Sequence, residues 1–203
     1  MARSAKSDPI RNFKFQVTIV PTGTALSQYA SNIDKLGFAA MSGLSVQNEM
    51  VGYREGGMNT HPHKFVGQSD FAPVTFSRGV FAGQDQMYRW QQFLHAWNQA
   101  SSPSGGSSTS DYNYRCDILV KVFDHPNSSG SYNTPGELES NAIKPGSARF
   151  GFKLFNCWPG AYSLSDLNAG DSGIVVQQLT VHHEGFVVGW NEAQVSQLQT
   201  ING

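Results

Sequence analysis

The chain has 203 residues and a mass of 22.2 kDa, which suits one domain that can bury a core without a disulfide or metal. With 14 Lys and Arg against 15 Asp and Glu, its formal charge is −1, which argues against a nucleic-acid binder or an electrostatic membrane binder. Only 14% of the residues are charged, against about 25% in ordinary soluble domains, and such depletion is expected where much of the surface contacts other protein.

The start of the chain has no apolar run that would form a secretory signal, and no stretch approaches the length of a membrane span. We therefore expect a soluble protein that is made in a cytoplasm. The two cysteines, Cys116 and Cys157, leave little room for a disulfide framework.

The dominant hydrophobic period is two, which predicts half-buried strands. Four segments share this alternation: 13–19, 118–122, 150–154 and 177–181. The first is expected to end at Pro21-Thr22-Gly23 and the third at Trp158-Pro159-Gly160. Two weaker strand candidates are 38–49 and 71–80. This pattern predicts a mainly β fold, in which antiparallel strands form a sandwich or barrel.

One segment, at about 85–100, has a helical period. Its apolar residues recur at spacings of three and four and form a single stripe: Met87, Trp90, Phe93, Leu94 and Trp97. Asp85 is the expected N-cap, and Ser101-Ser102-Pro103 is expected to end the helix. We expect this helix to pack across a sheet.

Three stretches have no period and are predicted to be long loops, at 47–68, 101–110 and 125–147. The last two are rich in Ser, Gly and Pro and are interpreted as insertions, at about 101–113 and 124–147, in a single domain spanning 1–203. The first differs because it mixes glycines with aromatic and charged residues. Loops of this length are uncommon in compact domains and are usually functional or mobile.

The candidates for chemistry are weak. Neither His61-Pro62-His63 nor His182-His183-Glu184 has the spacing of a helical zinc site, and adjacent residues of a strand point to opposite faces. Neither Cys116 nor Cys157 has a base or an electropositive neighbourhood nearby in the sequence. No glycine-rich loop has a phosphate-binding form. We predict a protein that is not an enzyme and has no catalytic, cofactor-binding or metal-binding residues.

The order of three groups of residues is more specific. The first group is Phe38 to Leu44 followed by Tyr53-Arg54-Glu55-Gly56-Gly57, the second is His63 to Gln68 followed by Val74 to Val80, and the third is Phe155 to Pro159 followed by Leu179 to Phe186. Within them, Ser42-Gly43-Leu44, the Tyr53 motif and Arg78-Gly79 are the most specific parts. This order resembles the tail-tube proteins of contractile phages, a family that also includes the inner tubes of phage-derived injection particles.

The resemblance implies a β-sandwich subunit that forms hexameric rings, and rings that stack into a hollow tube inside a contractile sheath. In a phage this tube conducts the genome into the host. The implied partners are further copies of the chain, the tail sheath protein, the tape-measure protein, the baseplate and tail-terminator proteins and, transiently, DNA in the lumen. No cofactor and no membrane anchor is implied. The protein would reside in the virion after assembly in the host cytoplasm.

Two alternatives remain open from the sequence. One is the inner tube of a contractile injection particle, which would deliver protein cargo instead of a genome. The other belongs to a different class, a carbohydrate-binding β-sandwich that stacks exposed Trp and Tyr rings on sugars. A zinc hydrolase that uses the histidine pairs is a more distant alternative.

Assembly into a tube needs two kinds of contact. Exposed strand edges of neighbouring subunits can pair head to tail, and a rotation that closes produces a ring. For contacts between rings or subunits we predict the segment at 47–68, since its glycines allow an extended reach and its aromatic residues can anchor in a neighbour. The candidate contact residues are Tyr53, Arg54, Glu55, Met58, His63, Lys64 and Phe65.

The lumen has an electrostatic requirement. Duplex DNA carries about one negative charge per 1.7 Å, so a basic lining would hold DNA instead of letting it pass. The lining should therefore be neutral and polar, or acidic. Four residues are candidates for it: Ser42, Ser45, Gln47 and Glu49. The polar face of 71–80 is a further candidate.

Overall fold

A computed structural model of the chain describes residues 9–57, 59–98, 113–123, 148–170 and 172–201. Met58 and nearly all of the two predicted insertions, 101–113 and 124–147, lie outside these ranges. The described residues form nine strands: β1 (Phe15–Pro21), β2 (Ala40–Ser42), β3 (Val46–Tyr53), β4 (His63–Phe71), β5 (Val74–Gly79), β6 (Cys116–Phe123), β7 (Ala148–Leu164), β8 (Val176–His182) and β9 (Gly185–Gly189). They also form three α-helices, α1 (Thr24–Tyr29), α2 (Gln86–Asn98) and α3 (Glu192–Gln197), and a short 3₁₀ turn at Ile33–Lys35.

The prediction of a mainly β, antiparallel fold is confirmed. Within the described ranges, seven strands form one hydrogen-bonded network in the order β1-β6-β7-β8-β5-β2, with β9 also beside β7. Every pair in this network is antiparallel. The period of two recurs in the burial of the strands, since Val74, Phe76 and Arg78 of β5 are buried and the residues between them are half-buried.

Strand β7 differs from the prediction because it does not end at Trp158-Pro159-Gly160 but continues to Leu164, over 17 residues. Its first part pairs with β6 and β9, and its last part pairs with β8. Between the two parts the backbone bends, with Asn156 in a left-handed conformation (φ 51°) and a register shift between Pro159 and Ala161. The bend explains how a strand accommodates a proline, and it lets one strand join the two halves of the network.

Both halves bury apolar side chains in one core. Strands β1, β6 and β7 contribute Val17, Ile19, Ile118, Val120, Phe152 and Leu154, and β5 and β8 contribute Val74, Phe76, Leu179 and Val181. Because the two halves share this core, its packing fixes their positions relative to one another.

The predicted helix is present as α2, beginning directly after Asp85. Its predicted stripe is buried at Met87, Trp90, Phe93 and Leu94, whereas Trp97 is exposed. The Trp90 indole N–H donates a hydrogen bond of 2.8 Å to the carbonyl of Tyr114. The helices α1 and α3 were not predicted, because six residues make fewer than two turns and leave no measurable period.

The segment at 47–68 was predicted to be a loop, but most of it forms a β-hairpin. Strands β3 and β4 pair from Val46 opposite Phe71 to Tyr53 opposite His63, as a separate two-stranded sheet. Every residue of β3 is exposed. A strand shows an apolar period when one of its faces is buried, and neither face of β3 is buried within the described chain. For this reason the sequence pattern indicated no strand in this segment beyond the weak candidate at 38–49, which overlaps the start of β3.

Candidate assembly interface

Two tight connections set the direction in which the β3–β4 hairpin leaves the main sheet. Gly43, between β2 and β3, has φ +97°, and a Cβ atom at this position would lie 2.5 Å from the carbonyl oxygen of Pro73, between β4 and β5. The two connections are also joined by a hydrogen bond of 3.1 Å from the Ala72 N–H to the Ser45 carbonyl. Because only glycine tolerates this close approach, the contact with Pro73 explains why the Ser42-Gly43-Leu44 motif has a glycine at position 43.

The base of the hairpin is anchored on the body of the protein by Phe71. Its ring lies 5.7 Å from the ring of His183 and 6.0 Å from that of Phe186, measured between centroids. His183 is 8% exposed, and its Nε2 atom is 3.1 Å from the Ala72 carbonyl oxygen. Burial lowers the pKa of His183, so its imidazole is neutral at neutral pH and Nε2 carries the hydrogen that Ala72 accepts.

Beyond Phe71 the hairpin has two faces, which follow from the strand register. The Val51 face contains the cross-strand pairs Val51–Phe65 and Tyr53–His63, and the Val66 face contains the pairs Met50–Val66 and Gly52–Lys64. A β-bulge between Asn48 and Met50 places an additional residue in β4. Apolar side chains are exposed on both faces.

The predicted contact residues that the structure describes all lie in the distal half of this hairpin. Tyr53 ends β3, His63, Lys64 and Phe65 belong to β4, and Arg54 and Glu55 lie in the connecting turn. Met58 lies outside the described residues. Their part in contacts between subunits remains a prediction.

Three exposed apolar residues within 47–68 were not predicted from the sequence: Met50, Val51 and Val66. They were passed over because the segment was interpreted as a loop, where scattered apolar residues are ordinary. The useful signal would have been two runs of β-forming residues, 50–53 and 63–66, on either side of the glycine-containing turn.

The four lumen candidates lie at the hairpin base, and all are exposed. Ser42 ends β2, Ser45 precedes β3, and Gln47 and Glu49 share the Val51 face by alternation along β3. Gln47 is paired with Asp70, so this end of the Val51 face carries the carboxylates of Glu49 and Asp70. The polar face of 71–80 is instead half-buried, and the Thr75 hydroxyl lies 3.2 Å from that of Thr180.

The histidine pairs do not converge. His182 stacks on Trp158 with 4.6 Å between ring centroids, whereas His183 is buried on the other side of the strand end. Among the residues that the structure describes, no group of three or more His, Cys, Asp or Glu could hold a metal ion. Cys116 and Cys157 face each other across β6 and β7, and burial raises the pKa of both thiols. Both are therefore protonated at neutral pH and poor nucleophiles.

The main sheet has strands with an unpaired edge. In the described part of the chain, β1 pairs only with β6, β2 only with β5 and β9 only with β7. Each presents backbone N–H and C=O groups that another chain can pair with. None of the helices in the described ranges is both long and apolar enough to cross a membrane.

Solved structures with this fold include components of contractile injection systems. A chain of the PVC sheath-tube complex in the extended state, an extracellular contractile injection system, is 18% identical with a TM-score of 0.59, covering 92% of this chain and 95% of that chain. A chain of the anti-feeding prophage tube terminating cap is 20% identical with a TM-score of 0.58, covering 94% of this chain and 95% of that chain. At these identities the similarity shows a shared fold.

The search of curated proteins returned no significant match. The model of the T4-like virus tail tube protein gp19 family matches residues 11–187, which include the hairpin and eight of the nine described strands in full. The chain therefore belongs to the T4-like virus tail tube protein gp19 family and has the structural role of a tail-tube protein.

Proposed function

We propose that six copies of this chain close into a ring and that the rings stack into the hollow tail tube of a contractile phage, through which the genome leaves. The observation that carries this proposal is the family match over residues 11–187. The role is mechanical and involves no catalytic turnover.

The unpaired edges of β1, β2 and β9 support ring closure. An exposed edge is a liability for a solitary subunit, because it can pair with any other chain. When neighbours pair head to tail around a closed ring, one edge of each subunit pairs with a different edge of the next, so one repeated contact satisfies two of these edges. Pairing between the open edges of the described strands would thus hold the ring together.

The hairpin is the proposed contact between rings. Tyr53 and Phe65 are exposed aromatic side chains on one face, and aromatic anchors dominate the energetics of many interfaces. Arg54 and Glu55 in the turn can form charge pairs across the joint. In such a contact, both interacting surfaces belong to copies of this chain.

The lumen is proposed to be lined from the hairpin base, by Ser42, Ser45, Gln47 and Glu49. In a ring of six subunits, the acidic side chains would repel the phosphates of DNA and the neutral ones would not attract them. The neighbouring carboxylate of Asp70, opposite Gln47, adds to this acidic character. Such a wall lets a duplex slide without binding it.

The proposed partners are the sheath, baseplate and tube-terminator proteins, because solved chains with this fold come from a sheath-tube complex, a baseplate and a sheath/tube terminator. A tape-measure protein and transient DNA complete the list for a phage. The protein would be assembled in the host cytoplasm and reside in the virion.

One alternative has a specific observation in its favour. The solved structures named above come from injection systems and a prophage particle, so the chain can also be the inner tube of a particle that delivers protein. The cargo of purified particles separates the two, since a phage tube leads to packaged DNA. The family match gives no support to the carbohydrate-binding alternative.

The test is electron microscopy and sedimentation velocity of the purified full-length chain. We expect hexameric rings or hollow rods, and we expect Tyr53→Ala and Arg54→Ala to remain folded by circular dichroism but to stack at higher concentrations than the wild type. A chain that stays monomeric at high concentration, and is missing from purified particles, would refute the tube. Normal polymerisation of either variant would refute the role given to that residue.

A further inference from the structure

Two polar residues end the buried face of the core between β5 and β8. The buried face of β5 runs from Val74 to Arg78, and that of β8 runs from Val181 to Gln177. Arg78 lies directly opposite Gln177 in the strand register. Because the two residues are only 2% and 3% exposed, the apolar core is closed at this end by a buried guanidinium and a buried amide.

The two side chains are only partly hydrogen-bonded. Arg78 Nη2 donates to Gln84 Oε1, and the Tyr162 hydroxyl donates to Gln177 Oε1 at 3.2 Å. In the described part of the chain, Arg78 Nε and Gln177 Nε2 have no acceptor. A buried donor without an acceptor is costly, because it has lost its hydrogen bonds to water. What this pair lacks is therefore a hydrogen-bond acceptor.

The positive charge of Arg78 is also unbalanced. A guanidinium stays protonated in proteins, and the ion pairs between described residues involve other cations, those of Arg89, Arg115 and Lys153. Desolvation by burial lowers the pKa of Arg78, and no carboxylate of the described residues opposes this shift. Buried charges in proteins are normally paired. The missing acceptor should therefore be an anion.

The geometry of the site favours a carboxylate. Directly opposite residues of two antiparallel strands have Cβ atoms about 4.5–5.5 Å apart, so Arg78 and Gln177 can donate to one ligand. An ionised carboxylate only accepts hydrogen bonds and matches the planar fork of a guanidinium. The Arg78 Cζ atom lies 5.5 Å from the centre of the Phe81 ring, and Phe81 is 58% exposed. One side chain thus separates the guanidinium from the solvent.

We propose that Arg78 and Gln177 form a binding site for a single carboxylate at this end of the core. The carboxylate accepts hydrogen bonds from Arg78 Nε and Gln177 Nε2 and neutralises the guanidinium. It belongs either to a small organic acid or to an acidic side chain of another copy of the chain, two sources that differ in their dependence on protein concentration. The site also gives a role to the arginine of the Arg78-Gly79 motif, which the proposed tube contacts leave unexplained.

One substitution supplies the ligand from the chain itself. Gln177→Glu keeps the length of the side chain and can still accept the hydrogen bond from Tyr162, but it places a carboxylate opposite Arg78. Arg78→Met removes the charge, and Arg89→Met is the matched control, because Arg89 is exposed and pairs with Asp85. The melting temperatures of the wild type and the three variants are measured in sodium acetate and in sodium chloride of equal ionic strength, over a range of protein concentrations.

For the wild type and Arg89→Met, we expect about 100 mM acetate to raise the melting temperature by about 3–6 °C relative to chloride, the shift for a site with a dissociation constant of about 10 mM. Arg78→Met should show no such difference. Gln177→Glu should melt above the wild type in chloride and no longer respond to acetate, because its own carboxylate fills the site. An acidic side chain of another copy would instead make the wild type melt higher as the protein concentration rises, and Arg78→Met should abolish this effect.

The carboxylate site is wrong if the wild type responds neither to acetate nor to protein concentration. It is also wrong if Arg78→Met keeps the full response, because acetate then acts elsewhere on the protein. If Arg78→Met does not fold, Gln177→Glu decides the question, since a retained acetate response in that variant would equally overturn the site. The acetate response is measured on single subunits, so a failure to form rings or rods would refute the proposed function without changing it.

Discussion

The connection at Gly43 provides the sharpest test of how the hairpin is held. Gly43 has φ +97°, and a Cβ there would lie 2.5 Å from the Pro73 carbonyl oxygen. Gly43→Ala therefore combines two penalties, the left-handed backbone of a residue with a side chain and a steric overlap with a fixed backbone atom. Two other glycines separate these terms, because a Cβ at Gly57 or Gly56 would meet nothing within 4 Å, and only Gly57 has a positive φ, of +96°.

The magnitudes follow from this geometry. The left-handed conformation costs a residue with a Cβ roughly 1–2 kcal/mol, and forcing an atom into a packed position costs about 1–3 kcal/mol more. Replacing glycine also removes freedom from the unfolded chain, which offsets about 0.4–1 kcal/mol. We expect the free energy of unfolding to fall by about 2–4 kcal/mol for Gly43→Ala and by up to about 1 kcal/mol for Gly57→Ala, and to change by less than about 1 kcal/mol for Gly56→Ala.

Urea denaturation of the three variants, followed by tryptophan fluorescence and circular dichroism, measures these differences. The midpoint should shift most for Gly43→Ala while the slope stays constant, as expected when stability alone changes. If Gly43→Ala and Gly57→Ala lose the same stability, the contact with Pro73 is not tight. If both match Gly56→Ala, the backbone description of these turns is wrong.

Two further predictions concern buried ionisable groups. Burial lowers the pKa of His183, so the folded chain binds this proton less tightly than the unfolded chain. The contribution of neutral His183 to the free energy of unfolding is therefore present above the unfolded pKa of about 6.5 and is lost as the pH falls below it. His183→Gln should reduce the slope of melting temperature against pH between pH 7 and 5. An unchanged slope would contradict this. The Nζ atom of Lys153 lies 2.9 Å from Asp117 Oδ2, with side-chain exposures of 7% and 21%. Lys153→Met should lower the free energy of unfolding by about 3 kcal/mol, because it leaves the partly buried carboxylate of Asp117 without its ion-pair partner. The double variant with Asp117→Leu should regain part of this stability. If Lys153→Met has the stability of the wild type, the ion pair is not coupled to folding.

The buried strands and α2 could be predicted because their burial pattern is periodic along the chain. In β1 and β8, Val17, Ile19, Leu179 and Val181 face the core at every second position. The continuation of β7 beyond Trp158 could not be predicted this way. Its last part pairs with β8 while its first part pairs with β6 and β9, and a change of partner leaves no local pattern.

The candidate interface was found as a segment but not as a structure. Tyr53, Arg54 and Phe65 stood out by residue type and by the order of the surrounding motifs, and all three lie on the hairpin. Met50 and Val66 were missed, because exposed positions carry no periodic signal. Residue chemistry thus indicated the candidate segment, while the composition of its two faces depends on the register of β3 and β4.

Sequence alone determined the class of this protein: a nearly neutral, mainly β chain whose motif order places it among tail-tube proteins. Those features are local, since side-chain alternation and short motifs are properties of neighbouring residues. The tertiary structure decided which edges of the described strands lack a partner, that Gly43 lies against the Pro73 carbonyl and that the hairpin exposes apolar side chains on both faces. These depend on contacts between residues far apart in the chain, which sequence periodicity does not encode.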